Sequence, residues 1–199
     1  MKQKIVTEGY DKVAENYLAQ RNEFKNFLYL ERLKSLLPHG SKILDIGCGA
    51  GVPIDKYLIE KGYVVTGIDV SEKQIELAKK NVPQAIYAIK NMSELQNSED
   101  QAGAIVSFYA RFHTPRETHQ ELFKKFNSFI PLGGLILITM GASEWEGEED
   151  FHGVNMYWSH YDSEKNKEII QNAGFQIIFN EIDTSGKEKH QVILAKKIN

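Results

Sequence analysis

The sequence predicts an α/β protein, a parallel sheet doubly wound with helices on both faces. Three observations predict it. Short apolar runs alternate with longer amphipathic ones along most of the chain. The apolar runs read as strands buried on both faces, which points to a parallel sheet under helices. The breaks at Pro38-His-Gly40, Pro83, Pro131-Leu-Gly-Gly134 and Gly174 fall where helices should stop.

Taken in order, two helical patterns precede the first strand, Tyr10–Ala19 and Asn22–Leu37. Strand-like runs follow at Lys42–Ile46, Tyr63–Ile68, Ala85–Ile89, Ala102–Phe108 and Gly134–Met140. Between them lie helical patterns at Ile54–Lys61, Glu72–Asn81 and Arg116–Phe129. Ser71 stands ready to cap the second of these, and Asp162 or Ser163 to cap a last helix, Ser163–Ala173. The final runs, Phe175–Glu181 and Gln191–Ala195, are joined by the polar turn Asp183-Thr-Ser-Gly-Lys187. No helix fits in that turn, so the two should pair as an antiparallel hairpin. Gly141–Tyr161 breaks the alternation. It is acidic at Glu144–Asp150, then aromatic at Phe151, Tyr157, Trp158 and Tyr161. Long irregular segments inside compact domains are usually lids or binding loops, and this one is expected to cover an acceptor site.

Composition narrows the function classes. The 199 residues carry 24 Lys+Arg and 27 Asp+Glu, a net charge of −3, with 42% apolar residues. That is enough apolar surface for a folded domain, and the length suits a single domain spanning 1–199, with 1–40 as a helical cap and 141–161 as the lid. No apolar run approaches the ~20 residues of a membrane span, and the amino terminus has no apolar stretch like that of a signal peptide. One cysteine, Cys48, fits a reducing cytoplasm. A mildly acidic chain without a Lys/Arg block argues against nucleic acid as partner and for a small molecule.

The sharpest local signal is Ile43-Leu-Asp-Ile-Gly-Cys-Gly-Ala-Gly51. An apolar strand runs into three alternate glycines and then a helix, so the backbone can turn tightly and approach a ligand near a helix amino terminus. A second strand ends in Asp69, 18 residues after Gly51, where a carboxylate can grip two ribose hydroxyls. A dinucleotide fingerprint would need a glycine at position 52, which is Val52.

The G-x-G-x-G spacing with Asp45 ahead of it resembles the class I S-adenosylmethionine (SAM)-dependent methyltransferase family, of the methyltransferase domain 11 type. The likeness spans nearly the whole chain: Tyr10-Asp-Lys-Val-Ala-Glu-Asn-Tyr17, Ile43–Gly51, Gly67-Ile-Asp-Val-Ser71, Ile105-Val-Ser-Phe108, Pro131–Leu137 and Ala173-Gly-Phe175 follow in the family's order. The resemblance implies a Rossmann-like, doubly wound, seven-stranded sheet of order 3-2-1-4-5-7-6 with strand 7 antiparallel. It also implies that Asp45 and the Gly47–Gly51 backbone hold the amino and carboxylate groups of SAM, with Cys48 a small filler between the glycines. Asp69 would take the ribose hydroxyls and Val70 would pack on the adenine. Lys90-Asn-Met92 stands where the family has Gly-Asp-x, so Asn91 replaces an acid, and its amide oxygen can accept from the adenine amine. Met92 lies beside it. Ser107 and Phe108 would lie near the methionine portion, with Tyr10 and Tyr17 closing from above.

Methyl transfer to a small-molecule acceptor, releasing S-adenosylhomocysteine, is the expected reaction. It needs alignment, water exclusion and a base only if the nucleophile carries a proton. His113, after the fourth strand, is the first candidate base and His160 the second. Arg111, Tyr157, Trp158 and Tyr161 are candidates to line the acceptor pocket, where an aromatic wall would also suit a cation. His39, His119 and His190 read as structural residues near the surface. His113, His152 and His160 lack the paired spacing of a zinc site, and no metal is expected. Two other readings stand beside this one: a non-catalytic SAM-binding protein, and an NAD-dependent oxidoreductase, which Val52 disfavours.

Overall fold

A computed structural model describes residues 2–21, 27–95, 101–186 and 188–199. In chain order the elements are α1 (Lys2–Arg21), α2 (Phe27–Leu36), β1 (Lys42–Ile46), α3 (Ile54–Glu60), β2 (Val64–Asp69), α4 (Glu72–Asn81) and β3 (Ile86–Ile89). Then come β4 (Ala104–Ser107), α5 (His119–Phe129), β5 (Leu135–Gly141), β6 (Trp145–Phe151), β7 (Val154–His160), α6 (Ser163–Asn172), β8 (Phe175–Asp183) and β9 (His190–Lys197).

Seven strands form one sheet in the order β3-β2-β1-β4-β5-β9-β8. The central pairs are parallel, with Leu44 opposite Thr66 and Asp45 opposite Val106, while β9 runs antiparallel to both β5 and β8. This is the doubly wound sheet expected from the sequence, with the last two strands renumbered by a hairpin described below. Successive strand residues serve opposite faces. Leu44 and Ile46 join Phe123, Phe126 and Ile170 from α5 and α6 on one face. Ile43, Val65, Val106 and Leu137 join Leu30, Leu33 and Leu58 from α2 and α3 on the other.

Helix starts follow the capping chemistry. The Ser71 hydroxyl accepts the Gln74 amide at 3.1 Å, and the Asp162 carboxylate accepts the Lys165 amide at 2.8 Å. The first helix is longer than its pattern suggested, beginning at Lys2, because Val6 packs with Met156 and Tyr157. Residues 22–26 of the second expected helix lie outside the described residues.

The segment Gly141–Tyr161 corrects its expectation. It is not an irregular loop: β6 and β7 form a two-stranded antiparallel sheet, Phe151 facing Val154 across a two-residue turn. His152 (φ 55°) and Gly153 (φ 83°) are both left-handed, as the tight turn that matches strand twist requires. The acidic run is therefore a strand. Glu144 bonds Arg116 at 2.7 Å and Glu146 bonds Lys2 at 2.9 Å, while Glu148, Glu149 and Asp150 face solvent. Among the described residues no helix is long and apolar enough to cross a membrane.

Candidate functional site

The carboxyl ends of β1, β2 and β4 open into a cleft under α1. Its floor and walls include Gly47, Gly49, Asp69, Val70, Gln74, Asn91, Met92 and Phe108, with Val6, Tyr10 and Tyr17 above and His113 and Thr114 at one end.

The loop after β1 is built by glycine. Gly47 (φ 77°) and Gly49 (φ 53°) are left-handed, and a Cβ on Gly47 would overlap that of Ala110. The loop's amides are used within the protein. Gly47 and Cys48 donate to the Ile68 carbonyl at 2.8 and 3.0 Å, Gly49 donates to Asp69 Oδ2 at 3.0 Å, and Gly51 donates to the Cys48 carbonyl at 3.1 Å. These four N–H groups are thus not the free donors expected from the motif. Gly51 does not line the cleft either; a Cβ there would strike the Tyr87 hydroxyl oxygen at 2.5 Å. Its reason is packing, as is that of Gly67, whose Cβ would meet the Tyr87 ring at 2.6 Å.

Asp69 ends β2 with both carboxylate oxygens engaged, Oδ1 accepting the Ser71 amide at 2.9 Å and Oδ2 that of Gly49. Burial pushes its pKa above the ordinary carboxylate value, and the amides of Ser71, Gly49 and Val70 oppose that shift. Asn91 Oδ1 accepts the Ser93 amide at 3.0 Å, capping a short 3-10 turn, so one of its two lone pairs is committed. Asp45, Cys48 and Ser107 are buried and do not line the cleft. Cys48 packs with Ile75, Val82 and Tyr87, and burial drives its thiol pKa up. The Ser107 hydroxyl donates to the Ile46 carbonyl at 2.8 Å, tying β4 to β1 beneath the loop.

The expected acceptor residues separate into two groups. His113 lies at the cleft. Its Nδ1 is 2.7 Å from the Tyr157 carbonyl, which can only accept, so Nδ1 carries the proton. Its Nε2 then accepts from the Tyr10 hydroxyl at 2.8 Å. Burial lowers its pKa to about 4, keeping the ring neutral near pH 7. Trp158 packs on that ring, centroids 4.4 Å apart, and behind it Phe151 is 5.5 Å away. Tyr10, Tyr17 and Phe151 complete an aromatic group within 5.6–6.0 Å of one another.

Trp158 reaches the cleft only through the His113 ring and does not line it, and the other residues are not at the cleft. Arg111 is fully buried, its guanidinium lying 4.9 Å from the Phe123 ring centre without a hydrogen-bond partner, and burial lowers its pKa to about 9. Its aliphatic stem and planar head are held in the α5 side of the core, so it cannot reach the cleft. The Tyr157 hydroxyl donates to Glu146 at 2.7 Å and receives a hydrogen bond from Lys2 at 2.9 Å, away from the cleft lining. Tyr161 packs against the α5–α6 core and under Arg116. His160 Nδ1 donates to the Ser143 carbonyl at 2.5 Å, bracing the base of the hairpin. His119, expected near the surface, is fully buried, with Nε2 donating to the Thr114 carbonyl at 3.1 Å. Among the described residues, no group of three His, Cys, Asp or Glu is placed to hold a metal.

Tyr109, Ala110 and Gln74 are among the cleft residues that escaped the sequence pattern. Tyr109 lies just beyond β4 at φ 60°, a strained value for a non-glycine residue, with its amide donating to the Thr139 hydroxyl at 2.6 Å. Ala110 fills the space opposite Gly47. Gln74, on the first turn of α4, is 1% exposed and lines the cleft, yet neither polar atom of its side chain has a hydrogen-bond partner.

Residues 43–134 match the family model described as "Methyltransferase domain". The chain is 30% identical over 97 residues to 27-O-demethylrifamycin SV methyltransferase of Amycolatopsis mediterranei, covering 45% of this chain and 36% of that protein. It is 27% identical over 148 residues to a tRNA (carboxymethyluridine(34)-5-O)-methyltransferase of Arabidopsis thaliana, covering 73% of this chain and 35% of that protein. The chain spans about a third to a half of the length of these curated relatives. Its fold is similar to that of magnesium protoporphyrin IX methyltransferase from Synechocystis PCC 6803 crystallised with bound SAM, with TM-score 0.68, 16% identity, and coverage of 94% of this chain and 84% of that one.

Proposed function

From the premise that residues 43–134 are a methyltransferase domain, set in the Rossmann-like fold of SAM-dependent methyltransferases, we propose that this protein transfers a methyl group from SAM to a small-molecule acceptor. The observation that carries the proposal is Asp69 at the end of β2, tied to the Gly49 amide beside a left-handed glycine loop on the cleft floor. A buried carboxylate accepts ribose hydroxyls, and the glycines leave room for a ligand against the backbone. The cleft suits SAM in its remaining chemistry as well. Val70, Met92 and Phe108 offer apolar surface for an adenine and the methylene chain of the methionine portion, and Asn91 offers polar atoms at the rim.

Bound there, SAM supplies an electrophilic methyl group open to in-line displacement. The protein's own work is alignment and exclusion of water. Asp69 fixes the ribose end, and Tyr10 and Tyr17 close the cleft from α1. His113, neutral with Nε2 facing the Tyr10 hydroxyl, can draw a proton through that hydroxyl from an acceptor bound beside it. A base with a pKa near 4 pulls weakly. The pair therefore suits a nucleophile that is already acidic or carries no proton. The β6–β7 hairpin, through Trp158 against His113, is the proposed cover of the acceptor.

The test is S-adenosylhomocysteine release from SAM with phenol, amine, thiol and carboxylate panels and, in a separate arm, total tRNA. Release with a small molecule supports the proposal. Release only with tRNA overturns the acceptor class. No binding of SAM or S-adenosylhomocysteine by calorimetry overturns the reading altogether.

A further inference from the structure

Among the described residues, Asp69 and Lys90 are the only Asp, Glu, Lys or Arg side chains that line the cleft. They follow β2 and β3, on the far side of β1 from β4, about 10 and 14 Å along the sheet edge at two and three strand spacings. The other end, after β4 and under α1, is lined by Gln3, Val6, Tyr10, Tyr109, His113 and Thr114. Both ring nitrogens of His113 are engaged there, Nδ1 donating to the Tyr157 carbonyl at 2.7 Å and Nε2 accepting from the Tyr10 hydroxyl at 2.8 Å. Burial keeps the ring uncharged, so it is neither a counter-ion nor a base with a lone pair turned to an acceptor. The Thr114 hydroxyl donates to the Arg111 carbonyl at 3.0 Å, and the Arg111 guanidinium is buried in the core.

This end of the cleft chooses among nucleophiles. A hydroxyl or an amine must shed a proton to a base or leave a cation behind, and here neither a base in direct contact nor a counter-ion is offered. A carboxylate or phosphate on the acceptor would be buried without a partner. A thiol ionises unaided, with an ordinary pKa of about 8.5 against about 10 for a phenol, and a neighbouring cation lowers it further. Resting on the SAM reading above, we propose that the acceptor is a small thiol with an uncharged body, methylated on sulfur. The thiol proton goes to water. The thiolate lone pair forms the new S–CH3 bond as the bond between methyl and sulfonium breaks, and the breaking bond's electron pair stays on the sulfur of S-adenosylhomocysteine. One negative and one positive charge become two neutral thioethers. The transition state thus carries less charge than the reactants, and an apolar lining without counter-ions suits it.

The experiment gives the whole protein SAM and three probes of similar size, phenylmethanethiol, 4-methylphenol and phenylmethanamine, and follows S-adenosylhomocysteine release against pH. A fourth probe, 4-(sulfanylmethyl)benzoate, adds a carboxylate to the thiol. The ionised fraction alone separates thiol from phenol about thirtyfold at pH 7, so kcat/KM for the thiol should exceed that for the phenol and the amine by at least about tenfold. The carboxylate probe should be poorer than the uncharged thiol by at least about tenfold, both in kcat/KM and in calorimetric binding to protein saturated with S-adenosylhomocysteine. For thiols of different acidity, kcat/KM should rise with pH toward each thiol's own pKa. A smaller thiol advantage, a smaller carboxylate penalty, a pH midpoint shared by all thiols, or no thiol turnover by protein that binds SAM overturns the proposal and leaves the SAM reading intact. Protein that binds neither SAM nor S-adenosylhomocysteine overturns the SAM reading itself.

Discussion

Gly47 and Ala110, 63 positions apart, come together where the loop after β1 meets the turn after β4. Gly47→Ala introduces two separate costs. At φ 77° a side chain costs ~1–2 kcal/mol, and the new Cβ must displace Ala110, an overpacking cost of ~1–3 kcal/mol. The sum, about 2–5 kcal/mol, corresponds to a fall of roughly 4–20 °C in Tm for a chain of this size. Ala110→Gly alone, at an ordinary right-handed conformation (φ −94°, ψ −35°), should cost only ~0.5–1 kcal/mol. The double variant removes the overlap and keeps the φ strain, so it should be more stable than Gly47→Ala by up to about 2 kcal/mol. Urea unfolding of all four proteins gives the coupling energy directly. A coupling below ~0.5 kcal/mol, the level of independent sites, would refute the argument that these residues press on each other across the cleft.

Asp69→Ala should weaken S-adenosylhomocysteine binding by ~1.5–3 kcal/mol, the scale of a lost charge-assisted hydrogen bond; unchanged calorimetric affinity removes the ribose role. The folded pKa of His113, about 4, lies below the free value of 6.5, so the unfolded chain binds more protons between those values. Its share of stability is therefore complete above pH 6.5 and shrinks by up to ~3 kcal/mol as pH falls to 4, and His113→Gln should flatten that part of a Tm-against-pH curve. Trp158→Ala should leave SAM binding within about twofold while acceptor turnover falls sharply; a lower Tm with unchanged turnover per folded molecule would make it a packing residue and end the lid proposal.

The central sheet was legible because its strands obey one simple rule, apolar runs closed by breakers. Lys42–Ile46 and Glu72–Asn81 have the bounds read from the sequence. The hairpin was not legible for two physical reasons. Glu146, Glu148, Glu149 and Asp150 look like a solvated loop, and their strand is held by pairing with β7 rather than by burial. The turn His152-Gly153 also lacks the Asn-Gly or Asp-Gly signature, although its geometry is the same. In the site, proximity in sequence misled. Arg111 is two residues from His113, but one turn of 3-10 helix sends the former into the core and leaves the latter at the cleft. Gln74 went unseen because a helix period reports which face is inward, not whether an inward polar group finds a partner.

The roof over the cleft has a consequence for the order in which the molecule can be made. Gly9 leaves room for Met156, since a Cβ there would stand 2.7 Å from the Met156 methyl carbon, and Lys2 reaches Glu146 and Tyr157. Helix α1 thus meets Met156, its partner on β7, only after about 135 further residues have been synthesised. At ~5–20 residues per second that is a wait of roughly 7–27 s. Over that interval Val6 and Tyr10 are without their cover from β7, while the Asp11 carboxylate can already accept the Ser71 hydroxyl once α4 has formed. The cleft is therefore among the last features to be completed, and a nascent chain halted before β7 would carry the glycine loop and Asp69 without their cover.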